Sequence, residues 1–429
     1  MKMYLEHTLT KEERVSLLRR PSTLKSDTGR IVQDVCLAIK QRGDDAVREY
    51  GRKFDKAENQ VLRVSKKEIE AANKLLPSKF LDALNVAIGN IRTFHKSQFS
   101  TVQRVSTMEG VVCWRETRPI ERVGLYVPAG SAPLPSTVLM LGIPALLAGC
   151  SRIILCSPPK ENGLVDPFIL AAAALIGIEE VYKVGGAQAI AAMAYGTETI
   201  PKVDKIFGPG NRYVTAAKQF ISTDSEGAAI DLLAGPSEVL ILSDETADPD
   251  VVVYDLISQA EHDTDAQAVL VTTDERLAKE VLRILPQKIS EFPRNKIVES
   301  SLAHGFIFVA ESLESAVRFT NDYAPEHLII NMQNSEALVP SIINAGSVFV
   351  GPFAPVTAGD YASGTNHTLP TNGTARWASG VSLDSFLKQV TFQSITKSGL
   401  ESLAPALASF ASVEGLQAHA RAVTSRLSS

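Results

Sequence analysis

An α/β fold carrying two open sheets is predicted by three features of the sequence. Short apolar runs of strand length trade places with stretches of helical periodicity, they do so at regular spacing, and the alternation occurs twice along the chain. With 429 residues, 45% hydrophobic and 21% charged, the chain can bury two or three cores.

Thr10 and Glu13 form a Thr-x-x-Glu capping box that opens a helix from Thr10 to Arg20, within an N-terminal helical arm spanning 1–29. Helical patterns follow from Arg30 to Phe54 and from Ser65 to Lys96. Val111 to Pro128 alternates as paired strands do. The first open-sheet run has strands at Ile153 to Cys156, Glu180 to Val184 and Lys205 to Phe207. The second has them near Val239 to Leu242, Ala268 to Thr272, Gly305 to Val309, Leu328 to Asn331 and Ser347 to Val350. Residues 30–129 are expected to pack with 238–380 as one domain and 130–237 to form the other. Residues 381–429 are expected to form a small helical C-terminal domain ending in a helix from Leu416 to Leu427.

Forty-three basic and 48 acidic residues give a net charge of −5 with no basic cluster, which argues against nucleic acid or an anionic membrane as partner. The amino terminus has no apolar run of signal-peptide length, and the longest later candidate, Val138 to Leu147, reads as a buried helix. Cys36, Cys113, Cys150 and Cys156 show no Cys-x-x-Cys spacing, so reduced thiols in the cytoplasm are expected. Cys113 and Cys150 fit packing better than covalent catalysis.

Chemistry concentrates between Asn321 and His367. Glu326 and His327 stand side by side after Pro325, and side chains that alternate along a regular strand serve one site only at an irregular strand start. Pro325 supplies the irregularity by fixing its own φ and pushing Ala324 out of the helical region. A carboxylate and an imidazole held there can handle two different protons, although the same pair also suits a surface acid beside a core histidine. In the helical pattern Val251 to His262, Gln259 and His262 share a face, and Asp360 and His419 could complete a zinc shell of nitrogen and oxygen donors. The Gln-x-x-His spacing equally suits an exposed helix face. His367, seven residues after Asp360, is a candidate for orienting a ligand by hydrogen bonding. No strand is followed by Gly-x-Gly-x-x-Gly. The best phosphate candidate is the turn Val184-Gly-Gly-Ala-Gln188, whose amides open a helix, and which also fits a simple strand-to-helix turn.

Together with Gly124-Leu-Tyr-Val-Pro128, Gly185-Gly-Ala-Gln188, Phe207-Gly-Pro-Gly-Asn211, Leu233-Ala-Gly-Pro-Ser-Glu238 and Gly359-Asp-Tyr-Ala-Ser-Gly-Thr-Asn-His367, these segments resemble the histidinol dehydrogenase family from about Gly29 onward. The resemblance implies two incomplete Rossmann-like domains and a zinc-dependent, NAD-linked oxidation of L-histidinol through L-histidinaldehyde to L-histidine, the last step of histidine biosynthesis. By matching motif positions it implies His327 as the base for the alcohol proton and Glu326 as the base that activates water. It implies Gln259, His262, Asp360 and His419 as zinc ligands, joined at the substrate by Ser237, His327 and Glu414. Tyr126, Gln188 and Asn211 are the implied nucleotide contacts.

In the family the tail reaches the neighbouring subunit's site, so a homodimer is implied. Glu414 and His419 are five residues apart, and Gly415 would let Glu414 sit in a non-helical lead-in while His419 projects from the helix. Ala129 departs from the family's usual glycine before Gly130, which bears on the local loop. The rival readings are a same-scaffold dehydrogenase for another alcohol, such as a sulfonated diol, and a zinc hydrolase.

Overall fold

The computed structural model describes residues 1–20, 26–57, 61–129 and 132–428. Strands β1 (Lys2–Leu5), β2 (Arg104–Met108), β3 (Val111–Pro119) and β4 (Arg122–Tyr126) come first. Then β5 (Arg152–Ser157), β6 (Val181–Lys183), β7 (Lys205–Phe207) and β8 (Ala229–Ile230) alternate with helices. A second alternation holds β9 (Glu238–Ser243), β10 (Gln267–Thr272), β11 (Phe306–Val309), β12 (His327–Asn331) and β13 (Ser347–Val350), and β14 (Leu387–Ile395) leads into the tail.

Two sheets are parallel throughout, one ordered β6-β5-β4-β7-β8 and the other β1-β11-β10-β9-β12-β13. Helices cover both faces of such sheets, so their strands are apolar runs rather than alternating ones. Every residue of β9, β10, β11 and β12 is buried. The expected α/β class with two open sheets is what forms, and each expected strand of both runs is present within a residue or two.

Four details differ from the sequence reading. Residues 2–5 of the arm are not helical but form the edge strand β1 of the six-stranded sheet, ahead of the capped helix Lys11–Leu17. β3 and β4 do not pair: β4 is central in the five-stranded sheet, whereas β3 joins β2 and β14 in a separate antiparallel sheet. Within the stretch expected to pack with 238–380, the helices Ser26–Tyr50 and Ser78–Lys96 share cores with the five-stranded sheet. Val32, Val35 and Ile39 share a core with Ile154 and Ile190, and Leu84 and Ile91 share one with Leu139 and Leu155. The C-terminal region is α-helical only from Lys397, because the short 3-10 helix Leu383–Phe386 and β14 precede the helices Lys397–Val413 and Gln417–Leu427. Periodicity reveals which face of an element is apolar; the sheet that receives it is a long-range choice.

Polar contacts join the two halves beside the candidate site. Asn90 Nδ2 donates to the Ala362 carbonyl at 2.9 Å, Asn366 Nδ2 to the Met140 carbonyl at 2.6 Å, and the Gly235 amide to Thr371 Oγ1 at 2.6 Å. No helix among the described residues is long and apolar enough to cross a membrane.

Candidate active site

The acid–imidazole pair lies at the amino ends of β9 and β12, adjacent parallel strands in which His327 is in register with Val239. The order in which strands are added reverses at this pair, since β9 leads outward through β10 and β11 while β12 and β13 lie on its other side. Open α/β sheets usually bind ligands at such a switch but at the carboxyl ends; this pair uses the opposite edge. Ala324 takes a left-handed conformation with φ 52°, Pro325 follows, and the chain turns into the strand. Glu326 therefore stands just outside β12 and His327 just inside it. Both side chains turn to one side, each 5% exposed, with Glu326 Oε2 at 3.4 Å from His327 Nδ1.

The Glu238 peptide groups fix both. Its N–H donates to Glu326 Oε2 at 2.7 Å, and its carbonyl lies 3.0 Å from His327 Nδ1. A carbonyl only accepts, so the ring proton sits on Nδ1 and a neutral His327 presents its lone pair at Nε2. That Nε2 is buried without a hydrogen-bond partner and faces Asp360 Oδ1 at 3.7 Å. Burial opposes an imidazolium here, but the carboxylates of Glu326 and Asp360 outweigh it and push His327 up to about 10. Burial raises the Glu326 carboxyl, opposed by His327. Burial works the same way on Asp360, yet His327, His367 and His262 hold its carboxyl below the ordinary range.

Gln259 is in the last turn of the helix Pro249–Ala260, buried, with Nε2 lacking any partner. Amide oxygen and nitrogen are interchangeable by a flip, which would turn an acceptor toward the same space. His262 lies two residues beyond that helix, exposed, with its amide donating to the Gln259 carbonyl at 3.3 Å. Asp360 arrives on the short helix Val356–Tyr361. An unpaired buried amide, an exposed imidazole and a depressed carboxylate suit a borderline-hard cation. Within one chain the set stays incomplete: among the described residues no three His, Cys, Asp or Glu side chains gather as a metal group. His419 and Glu414 are exposed on the tail, where they line an apolar hollow with Leu407, Phe410 and Leu416. Gly415 has φ 70° and separates them as expected, but Glu414 caps the helix Lys397–Val413 rather than leading into the next. Ser237 is half-buried just before β9, its carbonyl accepting from the Gln267 amide at 3.0 Å.

The nucleotide candidates sit at the carboxyl ends of the five-stranded sheet, and each already has a partner. Tyr126 is buried at the end of β4, and its hydroxyl accepts from the Gly186 amide at 3.0 Å. Gln188, also buried, donates through Nε2 to Asp55 Oδ2 at 3.0 Å, and the Gly185 amide bonds the same carboxylate. The amides at this helix start are thus partly occupied by internal acceptors. Asn211 is exposed and caps the helix Arg212–Ser222, accepting from the amides of Tyr213 and Val214. Ala129 is not among the described non-glycine residues with positive φ, and Gly130 lies outside the described residues.

Sequence reasoning passed over four residues that the structure brings to these sites. Asp55 had no motif around it. Arg20 and Glu238 form a buried bidentate ion pair beside the site, legible only as the end of the arm helix and the last residue of the Leu233-to-Glu238 motif. Thr137 Oγ1 meets His367 Nε2 at 3.1 Å, while His367 Nδ1 donates to the Asp360 backbone carbonyl at 2.9 Å, so His367 holds the Asp360 main chain and not its carboxylate. The cysteines are free, and burial pushes Cys36 up to about 12 and Cys150 up to about 11, which disfavours a thiolate nucleophile.

Two parallel open sheets with a buried carboxylate beside a buried imidazole at one sheet edge define an α/β protein whose site carries an acid–base pair of the kind enzymes use. The comparisons narrow that class. A family model described as histidinol dehydrogenase matches residues 18–427. Histidinol dehydrogenase of Bacteroides fragilis is 52% identical over 411 residues, covering 96% of each chain. That of Vibrio parahaemolyticus is 48% identical over 428 residues, covering all of this chain and 98% of its own. A crystal structure of histidinol dehydrogenase from Elizabethkingia anophelis superposes with a TM-score of 0.96 at 50% identity, over 100% of this chain and 98% of that one. The chain belongs to the histidinol dehydrogenase family and is an oxidoreductase.

Proposed function

We propose that this enzyme oxidises L-histidinol through L-histidinaldehyde to L-histidine at a single site, closing histidine biosynthesis in the cytoplasm. Family membership supports the reaction, and one observation supports its division of labour: a buried carboxylate and a buried imidazole lie 3.4 Å apart, with the far ring nitrogen unpaired. Four free cysteines agree with a reducing compartment.

His327 Nε2 takes the hydroxyl proton as the first hydride leaves carbon. Glu326 then takes a proton from water as its oxygen adds to the aldehyde carbon, which prepares the second hydride to leave. Each turnover consumes one alcohol, one water and two NAD, and yields one carboxylate, two NADH and three protons. NAD supplies the acceptor for each hydride; Tyr126, Gln188 and Asn211 are the side chains assigned to it. Gln259, His262 and Asp360, with His419 of a second copy, would hold zinc, whose charge would bind the substrate's imidazole and amino nitrogens and draw Asp360's influence away from His327, favouring the neutral ring. Ser237 and Glu414 supply polar contacts to the amino alcohol, the latter also from the second copy. Four donors from two chains make the homodimer part of the catalytic unit.

The test is the yield of NADH per L-histidinol consumed by the zinc-loaded protein, with a chelated control. Two NADH per histidinol, abolished by chelation, is the expected result. No NADH with zinc bound would reject the reading, and NADH from a sulfonated diol alone would assign the scaffold to a different alcohol.

A further inference from the structure

Glu326 and His327 hang on the same peptide groups, those of Glu238. The side chain of Glu238 makes neither bond, yet it is 1% exposed at the amino edge of the sheet. A carboxylate in that position needs full compensation. Arg20 provides it, with Nη2 donating to Oε2 at 2.7 Å and Nε to Oε1 at 3.1 Å, and the Asn372 amide adds a donor to Oε1 at 2.7 Å.

The same guanidinium lies over the Tyr323 ring at 3.5 Å from its centre, and Tyr323 in turn donates its hydroxyl to Gln267 Oε1 at 2.7 Å. Tyr323 ends the helix from which Ala324 and Pro325 turn into Glu326. One planar cation therefore touches both segments that build the pair. Its bidentate fork grips the residue whose peptide groups aim the two side chains, and its face stacks on the helix end that delivers them. Lysine offers neither the fork nor the stacking plane.

We propose that Arg20 is a positioning residue of this active site: its bridge to Glu238 and its stacking on Tyr323 lock the Glu238 peptide groups against Glu326 and His327, so the N-terminal arm sets the aim of both proton acceptors. The inference rests on the roles proposed above for Glu326 and His327.

The test compares Arg20→Met, Arg20→Lys and Glu238→Gln as zinc-loaded holoenzymes, measuring kcat, KM for NAD and denaturation midpoint. Arg14→Met serves as the control, since Arg14 bridges Glu6 at 2.7 Å on the same arm without touching the site. A misaimed pair costs about tenfold to a hundredfold in kcat, on the alcohol and on the aldehyde alike, with KM for NAD unchanged. Arg20→Lys, which keeps the charge against Glu238 but not the fork or the stacking plane, recovers only a small part of that loss, and Arg14→Met lowers the midpoint while keeping kcat. Arg20 and Glu238 variants that lose stability but retain kcat per folded molecule would overturn the proposal and leave a purely structural bridge. Should Arg20→Met fail to fold, Arg20→Lys decides by the same kcat criterion. Glu326→Gln and His327→Asn in the same assay separate the two failures. If those keep their kcat, the assignment of the proton steps falls; if they lose it while the Arg20 variants do not, only the positioning role falls.

Discussion

His327 shows how one main-chain oxygen decides a side chain's chemistry. The Glu238 carbonyl accepts from Nδ1 and so directs the other nitrogen, unpaired and buried, toward Asp360. The adjacency of Glu326 and His327 after a proline was legible in the sequence because both residues are chemically unusual and the spacing is local. The peptide that aims them was not, since a backbone N–H and C=O leave no trace in residue type. Asp55 was invisible for a related reason: nothing local announces that a carboxylate will be buried 133 residues away from its partner Gln188. Its burial pushes it up to about 6 from an ordinary 3.8. For a carboxyl raised in the folded state the penalty is absent below the ordinary value, grows through the folded one, and is complete above it. Asp55→Asn, which keeps an oxygen acceptor, is therefore expected to gain on the order of 1–2 kcal/mol over the parent at pH 8 and much less at pH 4. Urea denaturation at the two pH values checks this; a difference that does not change with pH contradicts it.

At the scale of elements, the site depends on how β12 and β13 begin. The Gly346 amide donates to the Pro325 carbonyl and the Ser347 amide to the Glu326 carbonyl, both at 2.9 Å, so the start of β13 holds the turn that carries the pair. A Cβ on Gly346 would meet the Glu326 carbonyl oxygen at 2.5 Å and Pro370 Cδ at 3.2 Å. Gly346→Ala must push the two strand starts apart, at a cost of about 1–3 kcal/mol, and lower kcat with it. A variant with unchanged denaturation midpoint and kcat would show that the junction has slack. The strands themselves were legible because parallel strands buried on both faces are unbroken apolar runs. The separation of β3 from β4 was not: both read as strands, and only Ile120 and Glu121 lie between them. A turn that short ordinarily signals a hairpin, whereas here the chain changes sheets, with the Ile120 amide donating to the Phe386 carbonyl at 2.9 Å.

At the scale of the molecule, the tail is the part most incompletely explained by one chain. Phe410 is 69% and Val413 86% exposed beside Glu414. If that surface carries Glu414 and His419 into a second copy's site, lesions on opposite sides of the shared site complement. Co-expression of His327→Asn with His419→Asn gives mixed dimers holding one intact site of two, and random assortment predicts about a quarter of the parent activity. Either variant alone stays inactive. No activity in the mixture would mean that each chain completes its own site. The α/β class and the open sheets were legible from sequence; that the helices Ser26–Tyr50 and Ser78–Lys96 pack on the five-stranded sheet was not, because helix periodicity does not name the partner sheet.

The measurement closest to the central claim is turnover of Glu326→Gln and His327→Asn on L-histidinol and on L-histidinaldehyde. The division of labour predicts that Glu326→Gln slows aldehyde oxidation far more than alcohol oxidation, and that His327→Asn impairs the alcohol step at least as much as the other. Equal losses on both substrates in both variants would contradict it.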